Sequence, residues 1–348
     1  MSETTKWAIL GTGMIARTFA GALAKSETGD LIAVGSRALA SSNAFGKEFG
    51  VPRCYPTYEH VLADPDIDAV YISLPNHLHL EWGVRCAKAK KHILCEKPLT
   101  LNHSEAISLI NAVRSNGVFM MEAFMYRCHP QTAKTVELIR EGAIGDVRII
   151  QAEFGYNMSG RAGDPYENIR LRNDVGGGSI MDVGCYAVSA CRLMAGAALQ
   201  RDGTLEPEEI RGLAHIGDRG RVDEWALAVL RFPNDILANV TVGSLVAVGT
   251  VFRAWGSEGF LEVPNPWFPG RAKEHETIVL QRTGKEREEI KVPACNGLLY
   301  TLEADILARH KQDGQAPSPC MTWNDSLGNM RTLDRWRESI GLVFDSEK

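Results

Sequence analysis

A lysine and a tyrosine carry the chemistry that this sequence is expected to perform. Lys97 stands in the tripeptide Glu96-Lys97-Pro98, and the proline restricts its backbone to extended or turn geometry. Tyr186 follows Asp182 by four residues, in a segment that begins with Gly176-Gly177-Gly178-Ser179. A tyrosine hydroxyl, with an ordinary pKa of about 10, becomes a base at neutral pH only where a cation favours the phenolate. A lysine ammonium is such a cation, so the two side chains suit proton removal from a substrate hydroxyl.

A glycine-rich turn near the N-terminus follows the pattern G-x-G-x-x-A. The apolar run 6–10 predicts a buried strand, and it leads directly into Gly11-Thr12-Gly13-Met14-Ile15-Ala16 and a helix over about 17–25. In this pattern the first glycine permits a tight turn, the second lets the backbone approach a pyrophosphate, and the small third residue lets the helix pack closely. Helix N-termini also attract phosphates. The segment predicts a dinucleotide site that includes Gly11, Thr12, Gly13, Met14 and Ile15.

The residues at the end of the second predicted strand, over 31–35, indicate which dinucleotide binds. NAD-preferring domains usually carry an acidic residue here, whereas this chain reads Gly35-Ser36-Arg37. An arginine offers paired donors to a phosphate and stacks on an adenine face, so Ser36 and Arg37 favour NADP. The alternative is a solvated surface arginine.

Short apolar segments alternate with helical patterns as far as about residue 125. Strands are predicted at 8–10, 31–35, 69–73, 92–95 and 119–121, and helices near 17–25, 38–49, 58–63, 78–89 and 102–116. This alternation predicts an α/β Rossmann domain with a doubly wound parallel sheet, which binds ligands outside the carboxyl ends of its strands. We therefore expect Leu74, Asn76, His79, Glu96 and Lys97 to contribute to cofactor binding. For His79, capping of the following helix is an equally good interpretation.

The character of the sequence changes after about residue 126. Longer alternating segments at 147–156, 224–232, 238–244 and 277–281 predict a C-terminal α/β domain with a large, mainly antiparallel open sheet. A helix is expected over 180–194, where Asp182 and Tyr186 share a face, and an amphipathic helix over 325–344. The predicted domains are 1–125 and 126–348.

Composition excludes several classes of protein. The chain has 348 residues, 45% of them hydrophobic, and a formal net charge of −5 without a long basic run, so neither nucleic acid nor an anionic membrane is an expected partner. Its eight cysteines form no C-x-x-C pair, and the N-terminus does not resemble an export signal, so we expect reduced thiols and a cytoplasmic location. No H-E-x-x-H or similar spacing indicates a metal site.

These motifs together resemble one known family. They are Gly11-x-Gly13-x-x-Ala16, Pro75-Asn76-x-x-His79, Glu96-Lys97-Pro98, the run Glu122 to Pro130, and Gly176-Gly177-Gly178 followed by Asp182 and Tyr186. The chain is similar over nearly its whole length to the glucose-fructose oxidoreductase / inositol dehydrogenase / MocA family. The resemblance implies a Rossmann domain joined to an α/β domain whose sheet commonly mediates homodimers or homotetramers. It also implies that Lys97 lies beside nicotinamide and substrate.

One departure from the family pattern narrows the resemblance. Inositol-type members carry histidine where this chain has Tyr186, which favours the branch of NADP-dependent aldose 1-dehydrogenases and dimeric dihydrodiol dehydrogenases. The expected substrate is accordingly a sugar or cyclic polyol, with xylose or glucose oxidised at the anomeric carbon. Reduction of a keto-sugar or dicarbonyl, glycoside cleavage through transient oxidation at C3, and a non-catalytic NADP sensor are the alternatives.

Other polar side chains are weaker candidates for substrate contacts. Asp182 is expected either to accept a hydrogen bond from a sugar hydroxyl or to be a buried carboxylate satisfied by backbone N–H groups. Further candidates from nearby polar segments are Arg127, His129, Tyr156 and Arg161.

Overall fold

The computed structural model describes residues 4–160, 163–270, 274–295 and 299–348. They form two compact units, neither of which is continuous in the chain. The first unit consists of Met1–Thr100, Ser104–Cys128 and Leu298–Trp323, and the second of Leu101–His103, His129–Gly297 and Asn324–Lys348.

The first unit is built on a six-stranded parallel sheet. Its strands are β1 (Thr5–Leu10), β2 (Gly29–Gly35), β3 (Arg53–Tyr55), β4 (Ala69–Ile72), β5 (His92–Glu96) and β6 (Met120–Ala123), in the order β3-β2-β1-β4-β5-β6. The helices between them are α1 (Met14–Leu23), α2 (Leu39–Phe49), α3 (Tyr58–Ala63), α4 (His79–Lys88) and α5 (His103–Asn116). The chain order reverses between β1 and β4, the position at which doubly wound sheets bind their ligands. The predicted Rossmann fold is confirmed.

Burial on both faces explains why the central strands read as continuous apolar runs. Residues 7–10 of β1 and all four residues of β4 are completely buried. Phe19 of α1 stacks on Tyr71 of β4 at a ring-centroid distance of 4.1 Å, and Trp7 meets Phe19 edge-on at 5.4 Å. These rings cover one face of the sheet beneath α1.

A helix from the far end of the chain completes the first unit. In α8 (Leu299–His310), Asp305 Oδ1 accepts hydrogen bonds from Ser26 Oγ at 2.9 Å and Thr28 Oγ1 at 2.6 Å. Thr301 Oγ1 donates to the Ala22 carbonyl at 2.9 Å. A single boundary at residues 125–126 does not describe this arrangement, because the 298–323 segment packs with the N-terminal strands.

The second unit contains an eight-stranded sheet. Its strands are β7 (Val147–Gly155), β8 (Glu209–Ile216), β9 (Asp223–Phe232), β10 (Ile236–Gly243), β11 (Thr250–Gly256), β12 (Gly259–Val263), β13 (His275–Arg282) and β14 (Glu288–Pro293), in the order β14-β13-β12-β11-β7-β10-β9-β8. All neighbours are antiparallel except β7 and β10, where for example Ala152 pairs with Val240 in parallel. The predicted mainly antiparallel sheet is confirmed.

Helices complete the second unit and leave an apolar face of its sheet exposed. The helices are α6 (Pro130–Arg140), α7 (Cys185–Ala198) and α9 (Trp323–Ser339), of which α7 packs on β7 and β10. The exposed apolar residues of the sheet are Ile149, Leu213, Trp225, Leu227, Val229 and Leu237. Because Leu213 pairs with Leu227 and Ile149 with Leu237 across neighbouring strands, their side chains share faces of the sheet.

The last helix is shorter than predicted. α9 ends at Ser339 rather than at residue 344, because Gly341 takes a left-handed conformation at φ +70° and Leu342 N–H bonds back to the Arg337 carbonyl at 3.0 Å. Phe344, which suggested the longer helix, is completely buried beyond it and lies under the Arg337 guanidinium at 4.3 Å.

One helical stretch is long and apolar enough to cross a membrane. Within the part of the chain that the structure describes it is Asn173–Ala198, and 94% of its most apolar stretch is buried inside the protein. It is therefore the core helix of the second unit.

Candidate active site

The glycine-rich turn between β1 and α1 leaves space next to the helix N-terminus. Gly11 has φ +103°, and a Cβ there would lie 2.9 Å from Ser73 Oγ, so this position requires glycine. α1 begins directly after Gly13 without a side-chain cap, and among the described residues nothing lies within 4 Å of a Cβ placed on Gly13. The free amide groups of the first turn and this open space fit a pyrophosphate.

The other predicted residues of this turn lie at the surface or half-buried. Met14 is 80% exposed, which is unusual for a large apolar side chain. Thr12 and Ile15 are half-buried. An exposed methionine at the mouth of the turn is suited to cover a bound ligand.

Ser36 and Arg37 follow the carboxyl end of β2. Ser36 is buried and donates its N–H to the Tyr55 carbonyl at 3.2 Å, which ties the turn to β3. Arg37 is exposed, and in the part of the chain that the structure describes it forms no salt bridge. Its guanidinium is thus available to an external anion.

The loop that carries Lys97 is held by buried acids on both sides. Glu96 accepts a hydrogen bond from the Tyr71 hydroxyl, and the Leu99 N–H donates to Glu122 Oε1 at 2.8 Å. Lys97 itself is half-buried and precedes a cis peptide to Pro98. These hydrogen bonds fix the backbone on either side of the lysine, so the Lys97 side chain extends from a well-defined backbone position.

His79 connects this loop to the loop after β4. The ring is completely buried, with Nδ1 3.0 Å from the Pro98 carbonyl oxygen and Nε2 2.8 Å from the Leu74 carbonyl oxygen. Burial lowers the pKa of the imidazole, while the two carbonyl oxygens oppose that shift. Both ring nitrogens face carbonyl oxygens rather than amide groups, so His79 does not cap α4. Its contact with the cofactor stays a prediction, as does that of Leu74 and Asn76.

Tyr186 stands in an aromatic cluster of the second unit. A π-helical turn, Ile180–Gly184, runs straight into α7, so the predicted helix is present but starts with a wide turn. The Tyr186 ring, 5% exposed, meets Phe154 edge-on at 5.3 Å and Trp267 at 6.1 Å. Trp267 in turn donates Nε1–H to the Glu153 carbonyl at 2.8 Å. These rings hold the phenol in one orientation.

Asp182 belongs to a polar cluster at the same helix end. Its carboxylate accepts a hydrogen bond from the Tyr156 hydroxyl, and both of its oxygens lie 3.1 Å from Arg170 Nε. Burial first, and then the charge of Asp182, raises the pKa of Tyr156 well above its usual range, so this phenol stays protonated. Side chains, and not backbone N–H groups alone, satisfy the carboxylate. Arg170 was missed, since its segment shows no pattern that separates it from neighbouring surface arginines.

Arg127 and His129 lie inside the protein rather than at a surface. Arg127 is completely buried and donates Nε–H to the Pro319 carbonyl. His129 is the N-cap of α6, where its Nδ1 accepts from the Gln131 N–H at 3.1 Å, and burial lowers its pKa to about 4. Both side chains have structural partners, and their contact with substrate stays a prediction. Arg161 lies outside the described residues.

The described residues thus group the candidates within each unit. In the first unit His79 connects the Leu74 and Pro98 segments beside Lys97, and in the second Tyr156 joins Asp182. No cluster of three or more histidine, cysteine or acidic side chains suited to a metal occurs among the described residues.

The chain matches known proteins over most of its length. Residues 5–124 match the GFO/IDH/MocA model described as "Oxidoreductase family, NAD-binding Rossmann fold", and residues 132–262 match the GFO/IDH/MocA C-terminal domain. A D-xylose 1-dehydrogenase (NADP(+)) from Haloferax volcanii is 33% identical, with 95% of this chain and 96% of that protein covered. A mouse trans-1,2-dihydrobenzene-1,2-diol dehydrogenase is 29% identical, with 99% of both chains covered.

A solved structure also resembles the whole chain. A 3-ketoreductase from Actinomadura kijaniata, in complex with NADP and TDP-benzene, superposes with a TM-score of 0.84 at 28% identity, covering 97% of this chain and 98% of that one. Structures of variants of that enzyme with a single tyrosine or a single lysine replaced resemble this chain as well.

Proposed function

Because this chain belongs to the oxidoreductase family of glucose-fructose oxidoreductase, inositol dehydrogenase and MocA, we propose that it is an NADP-dependent aldose 1-dehydrogenase. The substrate that we assign is xylose or glucose, oxidised at the anomeric carbon to a lactone. The observation that carries the choice of cofactor is the exposed Arg37 at the end of β2, in place of the acidic side chain that would select NAD.

The residues of the first unit fit a bound dinucleotide. The open space at Gly13 and the uncapped N-terminus of α1 would receive the pyrophosphate, and Ser36 and Arg37 the 2′-phosphate. When bound, NADP supplies the acceptor for the hydride. Arg37 forms no salt bridge among the described residues, so its charge is not already neutralised by the protein.

We assign separate roles to the three candidate catalytic side chains. Tyr186 removes the proton from the substrate hydroxyl, and its aromatic surroundings restrict the ring to one orientation. Lys97 supplies a positive charge that stabilises the alkoxide that develops on the substrate. Asp182 orients a substrate hydroxyl, with its own position determined by Arg170 and Tyr156.

A reductase is the second candidate function. The ketoreductase that resembles the whole chain favours it, since the same groups serve both directions of hydride transfer. A keto-sugar such as 1,5-anhydrofructose, or a dicarbonyl, would be its substrate. The dihydrodiol dehydrogenases among the relatives make trans-dihydrodiols a third substrate class to test. Glycoside cleavage and a sensor role have no specific observation in their favour.

The first experiment is a substrate survey that follows reduced nicotinamide by absorbance. The purified protein is mixed with NADP or NAD and with aldoses, inositols and trans-dihydrodiols, and in the reverse direction with NADPH and keto-sugars. Turnover of xylose or glucose with NADP is the expected result. Turnover confined to the reverse direction would support the reductase instead, and NADP binding without any turnover would contradict both.

The second experiment replaces the proposed catalytic cation. Lys97→Met should lower kcat by at least about 10²-fold while leaving the NADP dissociation constant within a few-fold of wild type, because the ammonium acts on the developing charge. Lys88→Met, at an exposed site on α4, is the matched control and should behave like wild type. Near-normal turnover of the Lys97 variant would refute the assignment.

We also propose that the chain forms a homodimer or homotetramer through the sheet of the second unit. The support is its exposed apolar cross-strand pairs, since monomeric proteins rarely leave such patches uncovered. Leu227→Arg should convert the assembly to monomers in light scattering coupled to size exclusion. A wild-type protein that elutes as a monomer would refute this proposal.

A further inference from the structure

A buried aspartate from a strand far along the chain contacts the start of the helical segment that carries Asp182 and Tyr186. Asp223, the first residue of β9, is completely buried, and its Oδ2 accepts a hydrogen bond from the Ile180 N–H at 2.7 Å. The two residues are 43 positions apart in the chain. A carboxylate at a helix N-terminus satisfies a free amide group and interacts favourably with the helix dipole.

The glycine run before the helix is shaped around this carboxylate. Gly178 has φ +109°, and a Cβ on it would lie 2.1 Å from Asp223 Oδ1. A Cβ on Gly177 would lie 2.7 Å from the Ile169 carbonyl oxygen and 2.8 Å from that of Arg170. A larger residue at position 178 would push Asp223 away from the helix end, and one at position 177 would clash with the backbone of the preceding segment.

Ser179, the residue in the N-cap position, does not cap the helix. Ser179 precedes the helix but forms no capping hydrogen bond. Its hydroxyl donates to the Glu224 carbonyl at 2.7 Å and lies 2.9 Å from Ser244 Oγ. The anchor of the first turn is therefore the side chain of Asp223 from the neighbouring strand.

We propose that Asp223 is a positioning residue, which holds the first turn of this helix and thereby sets the location of the Tyr186 hydroxyl. The inference rests on the proposed function, in which Tyr186 is the base. The connecting turn, Ile180–Gly184, is π-helical. A π turn contains one residue more than an α turn, so its conversion to α-helix would rotate the following residues by about 100°. Release of the anchored amide group would permit that conversion.

Two substitutions at Asp223 test the anchor. Burial raises the pKa of Asp223 to about 7, so its carboxyl is only partly ionised at neutral pH. Asp223→Asn keeps an oxygen acceptor for the Ile180 amide but cannot ionise, and Asp223→Ala loses both properties. We expect kcat to fall about 10-fold in the first variant and about 10²-fold in the second, with the NADP dissociation constant unchanged. A graded loss in kcat alone is a result that general destabilisation would not produce.

A matched control separates positioning from stability. Ser179→Ala removes buried hydrogen bonds from the same junction without touching the Ile180 amide group. It should lower the unfolding midpoint while leaving kcat within about 2-fold of wild type. Wild-type kcat in Asp223→Ala would overturn the proposal. An equal loss of kcat in Ser179→Ala would overturn it as well.

Hydrogen–deuterium exchange tests the same anchor without any substrate. Faster exchange of the 180–186 amides in Asp223→Ala, and not in Ser179→Ala, is the expected result, and unchanged exchange in Asp223→Ala would overturn the proposal. If wild-type protein turns over no substrate, the proposed function fails and the exchange result alone decides on the anchor.

Discussion

The N-cap of α6 makes a quantitative prediction about acid stability. His129 accepts the Gln131 N–H through Nδ1, which requires that this nitrogen carry no proton. Burial lowers the histidine pKa from its usual 6.5 to about 4 in the folded protein. The unfolded chain therefore binds a proton at a higher pH than the folded one, and acidification below about pH 6.5 favours unfolding.

The size of the effect follows from these two pKa values. The stabilisation is fully present above pH 6.5 and is lost as the pH falls through the folded-state value. Linkage gives a loss of about 2 kcal/mol in the free energy of unfolding between pH 7.5 and pH 5, and of about 3 kcal/mol by pH 4.

Urea titrations from pH 4.5 to pH 8 on wild type and His129→Asn measure the contribution of His129 to the free energy of unfolding. Asparagine is a good N-cap and does not titrate. Both proteins share the same carboxyl groups, so the difference between their stabilities reports the titration of His129 alone. We expect the advantage of wild type over the variant to shrink by about 2 kcal/mol on going from pH 7.5 to pH 5. His129→Ala, which lacks any cap, should be less stable than His129→Asn by about 1 kcal/mol at every pH. A wild-type-minus-asparagine difference that does not vary with pH would refute the reasoning.

Three further substitutions test the candidate site. Gly178→Ala should lower the free energy of unfolding in urea by at least about 2 kcal/mol. Gly160→Ala, where no described residue lies within 4 Å of the added Cβ, should stay within about 0.5 kcal/mol of wild type, and equal effects would contradict the close approach of Asp223. His79→Asn should reduce kcat by about 10-fold with little change in NADP affinity, since the ring positions the Pro98 peptide. Weaker NADP binding at normal kcat would instead indicate direct cofactor contact. Arg37→Ser should raise the KM for NADP by about 10-fold or more and leave that for NAD unchanged, and a parallel rise in both would exclude a 2′-phosphate contact.

Local patterns were sufficient to predict most of the first unit. The glycine turn at Gly11 and Gly13 lies between β1 and α1 as expected. Three of the five predicted strands lie wholly within observed strands, and the other two overlap β4 and β6 but extend one residue beyond them. These signals are short-range, because a buried parallel strand and the turn that follows it are encoded in adjacent residues. The three-residue β3 was missed, since Arg53–Tyr55 is too short to show any period.

Contacts between distant segments could not be predicted in the same way. The pairing of Arg170 with Asp182, the anchor from Asp223 to Ile180 and the packing of α8 on the N-terminal strands join residues far apart in sequence. Spacing along one element reveals which residues share its face, but not which other element they meet. His79 shows the same limit, because its motif was visible while its two carbonyl partners were not.

The place of α8 in the first unit has a consequence for the order of synthesis. When residue 128 leaves the ribosome, all six strands of the parallel sheet have been made, yet the partner of Ser26 and Thr28 has not. About 170 further residues must be translated first, which takes roughly ten to thirty seconds at elongation rates of about 5–20 residues per second. During that interval the nascent first unit exposes the α1 surface that α8 later covers, so its folding cannot be completed before the C-terminal part of the chain is made.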